Sequence, residues 1–165
     1  MASLISTFNS DPLLNYSLSS SPPVNSNSRP EYAFDQTREC FNTQTSPYYW
    51  QISFSKPVII ESYTIGAPSN WYCSPTSWEI SYSYNGISFT PQQIDSGSLI
   101  GRKLTFNISE RIEYSHFKIT RKTESCSFAV LAFNQFDCFG TIPTATNCFK
   151  IRCTCNKAAG RKQLI

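Results

Sequence analysis

The sequence predicts an all-β, antiparallel sandwich or barrel, and three observations carry that prediction. First, Val, Ile, Thr, Tyr, Phe and Trp fill the middle of the chain, and such residues suit a pleated, half-buried surface. Second, short alternating runs recur at regular spacing with turn residues between them. Third, no window of ten or more residues sustains a 3.6-residue apolar period, so no long helix is expected. At 165 residues, with 40% hydrophobic and 15% aromatic residues, the chain is long enough for one domain with a real core and has room for tails.

The strands follow in order. Tyr48–Phe54 alternates, with Trp50, Ile52 and Phe54 on one face. Val58–Ile65 comes next; Ile60, Tyr63 and Ile65 do not share one parity, which predicts a bulge near Glu61. Residues 78–84 and 87–94 form the arms of a hairpin. Trp78, Ile80, Tyr82 and Tyr84 point one way and Glu79, Ser81 and Ser83 the other. Asn85-Gly86 is the expected two-residue type I′ turn, pairing Tyr84 with Ile87 and Tyr82 with Phe89. Lys103–Ile108, Ile112–Thr120 and the apolar run Phe128–Phe139 complete the set. No internal repeat of 20–50 residues is present, which argues against a solenoid.

The ends differ from this body. Residues 1–29 are rich in Ser, Asn and Pro and read as an arm; residues 141–165 follow a Gly140-Thr141-Ile142-Pro143 break. Lys150, Arg152, Lys157, Arg161 and Lys162 give that tail a charge of +5 with no acid, leaving 9 basic against 11 acidic residues elsewhere. The tail reads as a solvated terminus; the alternative is weak contact with an anionic membrane or polyanion. No nucleic-acid partner is expected. No run of 18 apolar residues occurs, and Met1–Leu14 lacks the pattern of a secretory signal. The expected location is inside the cell if Met1 is the native start, and the cell surface or exterior if a signal precedes it.

Four blocks together resemble the discoidin, or coagulation-factor type C, domain, over about 110 residues from Arg29 to Gly140. Pro30-Glu31-Tyr32-Ala33-Phe34-Asp35 is similar to that family's opening motif. Tyr49-Trp50-Gln51-Ile52-Ser53-Phe54 is similar to its tryptophan strand, and Ser77–Phe89 to its hairpin. Tyr114–Ile119 and Phe136-Asp137-Cys138-Phe139-Gly140 resemble its closing pair. The resemblance implies a jelly-roll sandwich of about eight strands, the galactose-binding-like fold, spanning residues 30–140. It also implies a noncatalytic binding module for glycans, phospholipid head groups or protein partners. Three departures bear on that. Ser53 stands where the family usually has Asp. Gln135 stands where a Glu helps hold structural calcium, so any calcium site would rest on Asp35 and backbone carbonyls. No cysteine precedes Cys40 to staple the chain ends.

An enzyme reading is thin. His116, the one histidine, sits in a strand pattern, and there is no phosphate loop, His-x-x-x-His or nucleophile elbow. Loops are richer. Gln36–Pro47 holds Arg38 and Cys40; Gly66–Thr76 holds Asn70, Trp71, Tyr72 and Cys73; Arg121–Ser127 holds Arg121, Lys122, Glu124 and Cys126. The family topology places all three at one end. Trp71-Tyr72 would stack on a sugar ring with Arg38 or Arg121 bonding its hydroxyls, or enter a bilayer interface, or fold back to cap the core. The expected ligand-binding set is Arg38, Asn70, Trp71, Tyr72, Arg121 and Lys122, recognising a carbohydrate or cell-surface ligand. The alternatives are a protein–protein adaptor and a phospholipid-surface module with peripheral membrane contact.

Seven cysteines leave at least one thiol unpaired in a monomer. A Cys73–Cys126 disulfide would stiffen the loop end in an oxidising compartment. Cys148, Cys153 and Cys155 in the tail do not match a zinc spacing. Asn15-Tyr16-Ser17 and Asn107-Ile108-Ser109 fit the N-glycosylation pattern.

Overall fold

The computed structural model describes residues 2–34, 40–124, 127 and 129–143. Ten strands form in chain order: β1 Ala2–Ser3, β2 Tyr16–Ser20, β3 Phe41–Thr43, β4 Tyr49–Ala67, β5 Pro75–Ser83, β6 Thr90–Ser96, β7 Arg102–Asn107, β8 Glu113–Glu124, β9 Leu131–Phe133 and β10 Gln135–Thr141. Among the described residues one α-helix, α1, spans Leu4–Ser10, and a 3-10 turn spans Pro30–Phe34. Each pairing between these strands is antiparallel, and an isolated parallel bridge joins Ala67 and Ile100.

The long strand β4 organises the sandwich. Its first part lies between β2 and β8, with Ile52 opposite Leu18 and Phe117. Its last part lies between β10 and β7, with Ile65 opposite Phe136 and Leu104. The ladder with β8 breaks at the exposed Ser55-Lys56-Pro57, where a proline without an N–H is tolerated, and resumes at Val58 opposite Tyr114 before β7 takes over from Ser62. Aromatic rings from the two layers meet in the core. Trp50 and Phe136 have centroids 4.7 Å apart, Trp78 and Phe106 5.4 Å, and Tyr63 and Phe117 5.7 Å. The bulge falls at Glu61: Phe139 faces Ser62 and Gly140 faces Ile60, skipping one residue. A Cβ on Gly140 would lie 1.9 Å from the Ile59 carbonyl oxygen, so the approach of the two backbones there requires glycine.

A polar chain leads from the core to the half-buried Asp95. The Trp78 indole N–H donates to the Tyr63 hydroxyl (2.7 Å), which donates to the Asp95 carboxylate (2.6 Å). Burial and the neighbouring Asp95 hold the Tyr63 phenol far above its usual range, so it remains a donor.

Residues 2–20, read from the sequence as part of an arm, are built into the sandwich. β1 pairs with β10, β2 pairs with β4, and α1 buries Leu4, Ile5 and Phe8. Ser3 caps α1 by accepting from the Ser6 N–H (3.0 Å), and the Phe8 ring sits 5.0 Å from that of Phe54. A seven-residue helix is too short to leave a periodic signature, and it forms because tertiary burial supports it.

The hairpin exists, but its turn differs from the expected type I′. β5 pairs with β6 through Tyr82 opposite Thr90, leaving a six-residue connection, residues 84–89. Gly86 has φ +72°, whereas Asn85 does not have positive φ. Side chains fold this loop instead. Ser83 Oγ accepts from the N–H groups of Asn85 and Gly86, and Asn85 Oδ1 accepts from those of Ile87 and Ser88. Tyr84 and Ile87 are therefore exposed rather than paired. The loop leans on the outer sheet face, where Lys118 Nζ lies 3.6 Å from the Phe89 ring centroid. A Cβ on Gly86 would lie 3.0 Å from the His116 ring. Gly86→Val should therefore destabilise the protein by about 1–3 kcal/mol through positive-φ strain and this contact. An unchanged urea midpoint would contradict the turn geometry.

Candidate loop-end binding site

The strand registers bring the loops together. Tyr49 opens β4 opposite Thr120 of β8, and Pro75 opens β5 opposite Glu124. The segments before β4 and β5 and after β8 consequently share one end. Loop 68–74 is pinned at its base: the Trp71 N–H donates to the Pro68 carbonyl (3.2 Å), and the Gly101 N–H to that of Ala67 (2.9 Å). Cys40, Cys73, Val130 and Ala132 form a small buried cluster here, separate from the main core, with Trp71 packed against it. Two of the three expected loop regions thus contribute to this cluster, the first through Cys40 and the second through Trp71 and Cys73.

Within this end the expected site residues take different roles. Tyr72 is 73% exposed, and Asn70 beside it is exposed too. Trp71 is half-buried against the cysteine cluster, so the core-capping alternative describes much of its surface. Arg38 and Asp35 lie outside the described residues, as does Cys126. Cys73 is disulfide-bonded, while Cys40 is a buried free thiol whose pKa is pushed far up by burial.

Arg121 and Lys122 are corrections to the sequence reading. The expected loop from Arg121 to Ser127 is strand as far as Glu124. The Arg121 guanidinium lies 4.1 Å from the Tyr48 ring centroid and pairs with Glu124, and its side chain is only 14% exposed. Its backbone N–H donates to the Tyr48 carbonyl (3.1 Å). Tyr48 itself holds φ +54°, a rare value for a residue with a bulky side chain. Arg121 is thus a brace between the starts and ends of neighbouring strands. Lys122 pairs with Glu79 (2.7 Å), which alternates with the buried Trp78 and Ile80. Lys122 therefore belongs to the outer sheet face and not to the loop end. Tyr48, absent from the sequence-derived set, carried no signal beyond its place at a strand start.

His116 sits on that outer face as well. Its Nδ1 is 2.8 Å from Ser53 Oγ, and Gln51 Nε2 donates to the same oxygen (3.0 Å). Burial lowers the imidazole pKa below its ordinary 6.5.

Asp35, the carboxylate expected at any calcium site, lies outside the described residues. Gln135 offers a neutral amide, and the Asp137 carboxylate already accepts from Ser3 Oγ (2.7 Å) and the Cys138 N–H (2.8 Å). No group of three or more His, Cys, Asp or Glu suited to a metal occurs among the described residues. Adding a chelator should leave the melting temperature nearly unchanged. A large drop would show that a tight site forms without a carboxylate at position 135.

No family model matches the sequence, and no curated protein matches it. Solved structures do. The chain is similar to CBM32-1 from a family 31 glycoside hydrolase from Clostridium perfringens, at 20% identity and a TM-score of 0.63, covering 81% of this chain and 99% of that one. It is similar to the F5/8 type C domain of a Bacteroides fragilis protein, at 14% identity and a TM-score of 0.64, covering 78% and 93%. It is also similar to the family 32 carbohydrate-binding module of C. perfringens NanJ, solved with galactose, at 15% identity and a TM-score of 0.59, covering 76% and 92%. The chain therefore has the β-sandwich fold of these F5/8 type C and carbohydrate-binding domains, the fold that the resemblance in the sequence implied.

Proposed function

We propose that this chain is a noncatalytic carbohydrate-binding module, whose ligand docks on the loop end through Tyr72 and Asn70, with Arg38 as a further candidate. The exposed Tyr72 ring carries the reading. It stands in a loop fixed by a disulfide at Cys73, by the packing of Trp71 and by backbone bonds at its base. A rigid aromatic face offers a sugar ring apolar area at little entropic cost, and a neighbouring amide offers directed polar contacts. Trp71 acts as the floor of this loop, and Arg121 acts through Tyr48 to hold the rim rather than as a direct contact. The fold shared with a module solved with galactose supports the ligand class.

The test is depletion of the protein on a surface bearing galactose-terminated glycans, with free galactose as competitor. Saturable, galactose-released retention is expected. Absence of retention across a panel of immobilised neutral and acidic glycans would refute the reading and favour the protein-adaptor alternative.

A further inference from the structure

We infer that Asn15 and Asn107 are acceptors for N-linked glycans, grouped at the end of the sandwich opposite the loop site. Each begins an Asn-x-Ser triplet with a residue other than proline in the middle, the pattern needed for transfer. The structure adds three observations that a triplet alone lacks.

Both asparagines are exposed, as are Ser17 and Ser109 two residues on. The contacts anchoring these positions run through the backbone. The Asn15 N–H donates to Ser55 Oγ (3.0 Å) and its carbonyl accepts from the Ser55 N–H (2.8 Å). The Asn107 carbonyl accepts from Gln93 Nε2 (3.1 Å). A glycan on either side chain would therefore leave those contacts intact.

The second observation is position. Asn15 precedes β2 and is held by Ser55, at the corner of β4; nearby Ser53 faces His116, which faces Ser83 at the end of β5. Asn107 ends β7, and the connection after it leads into Glu113, the start of β8, at that same end. Both acceptors lie a full strand length from Tyr72. Leu13 (79% exposed), Tyr84 (64%) and Ile87 (85%) belong to connections at this end, and hydrated glycans there would screen them.

The third observation is the disulfide at Cys73, which belongs to the oxidising compartments in which N-glycans are added. In the transfer, the Asn Nδ2 attacks the anomeric carbon of an oligosaccharide carried on a polyprenyl diphosphate. A C–N bond forms as the C–O bond to the diphosphate breaks. One amide proton is lost and the polyprenyl diphosphate leaves.

The experiment is peptide mapping of the full chain purified from its native source, with and without peptide-N-glycosidase in heavy-oxygen water. Enzymatic release converts each glycosylated asparagine to a labelled aspartate. Label at Asn15 and Asn107 is expected. In a secreting eukaryotic host, N15Q and N107Q should each remove one step of the electrophoretic shift. Unlabelled, carbohydrate-free Asn15 and Asn107 peptides would overturn the assignment, each site judged on its own peptide. Because both acceptors lie away from Tyr72, this outcome is independent of whether the loop end binds carbohydrate.

Discussion

Trp50→Ala should destabilise the protein by about 3–5 kcal/mol, the largest stability effect expected of a single substitution here. Trp50 is fully buried where the layers of the sandwich meet. Its ring lies 4.7 Å from that of Phe136, 5.5 Å from Phe133 and 5.6 Å from Phe34, and its indole N–H donates to the Pro30 carbonyl (3.0 Å). Alanine would empty that volume and leave the carbonyl without its donor. Natural domains have only about 5–15 kcal/mol in total, so the loss would take a large share and lower the melting temperature by roughly 10 °C or more. Ile94→Ala, at a 65% exposed position on β6, is the control and should cost less than about 0.5 kcal/mol. A Trp50→Ala loss below about 1 kcal/mol would contradict the packing described here.

The sandwich was legible where strands bury one face. Trp50, Ile52 and Phe54 show their alternation in the sequence because neighbours flank them on both sides and one face meets the core. Mismatched parity around Glu61 revealed the bulge for the same reason. The short elements β1, β3 and α1 were not legible, because two to seven residues cannot establish a period. Their positions come from long-range partners such as Phe139 and Phe133. The hairpin turn was misread because Asn85-Gly86 serves two geometries. Asparagine can adopt positive φ, or accept backbone N–H groups through its side chain, and here it does the latter.

The loop end was partly legible. Its cysteines and aromatics stood out as residues no strand pattern explained, and Cys40 and Cys73 do cluster with Trp71. Side-chain direction was not legible. Arg121-Lys122-Thr123-Glu124 looked like a loop because it is polar, yet it is the end of β8. A strand reaching the rim of a sandwich has no core left to face, so its apolar alternation stops before its ladder does. Arg121 turns onto Tyr48 and Lys122 onto Glu79, and neither partner is near it in sequence.

In the proposed arrangement the ligand stacks on Tyr72 while Trp71 supports the loop from beneath. The direct measurement is the affinity of Tyr72→Ala for a galactose-terminated glycan, with its urea midpoint measured on the same preparation. Truncating an aromatic anchor typically costs on the order of 2 kcal/mol of binding or more, so affinity should fall tens-fold. The midpoint should not move, because the ring is 73% exposed and buries little area to lose. Trp71→Ala serves as the contrast: half-buried against Cys40, Cys73, Val130 and Ala132, it should cost about 1–3 kcal/mol of stability. A Tyr72→Ala protein that binds the glycan as tightly as the unsubstituted chain would contradict this arrangement, since the one exposed ring among the described residues of the loop end would then play no part in recognition.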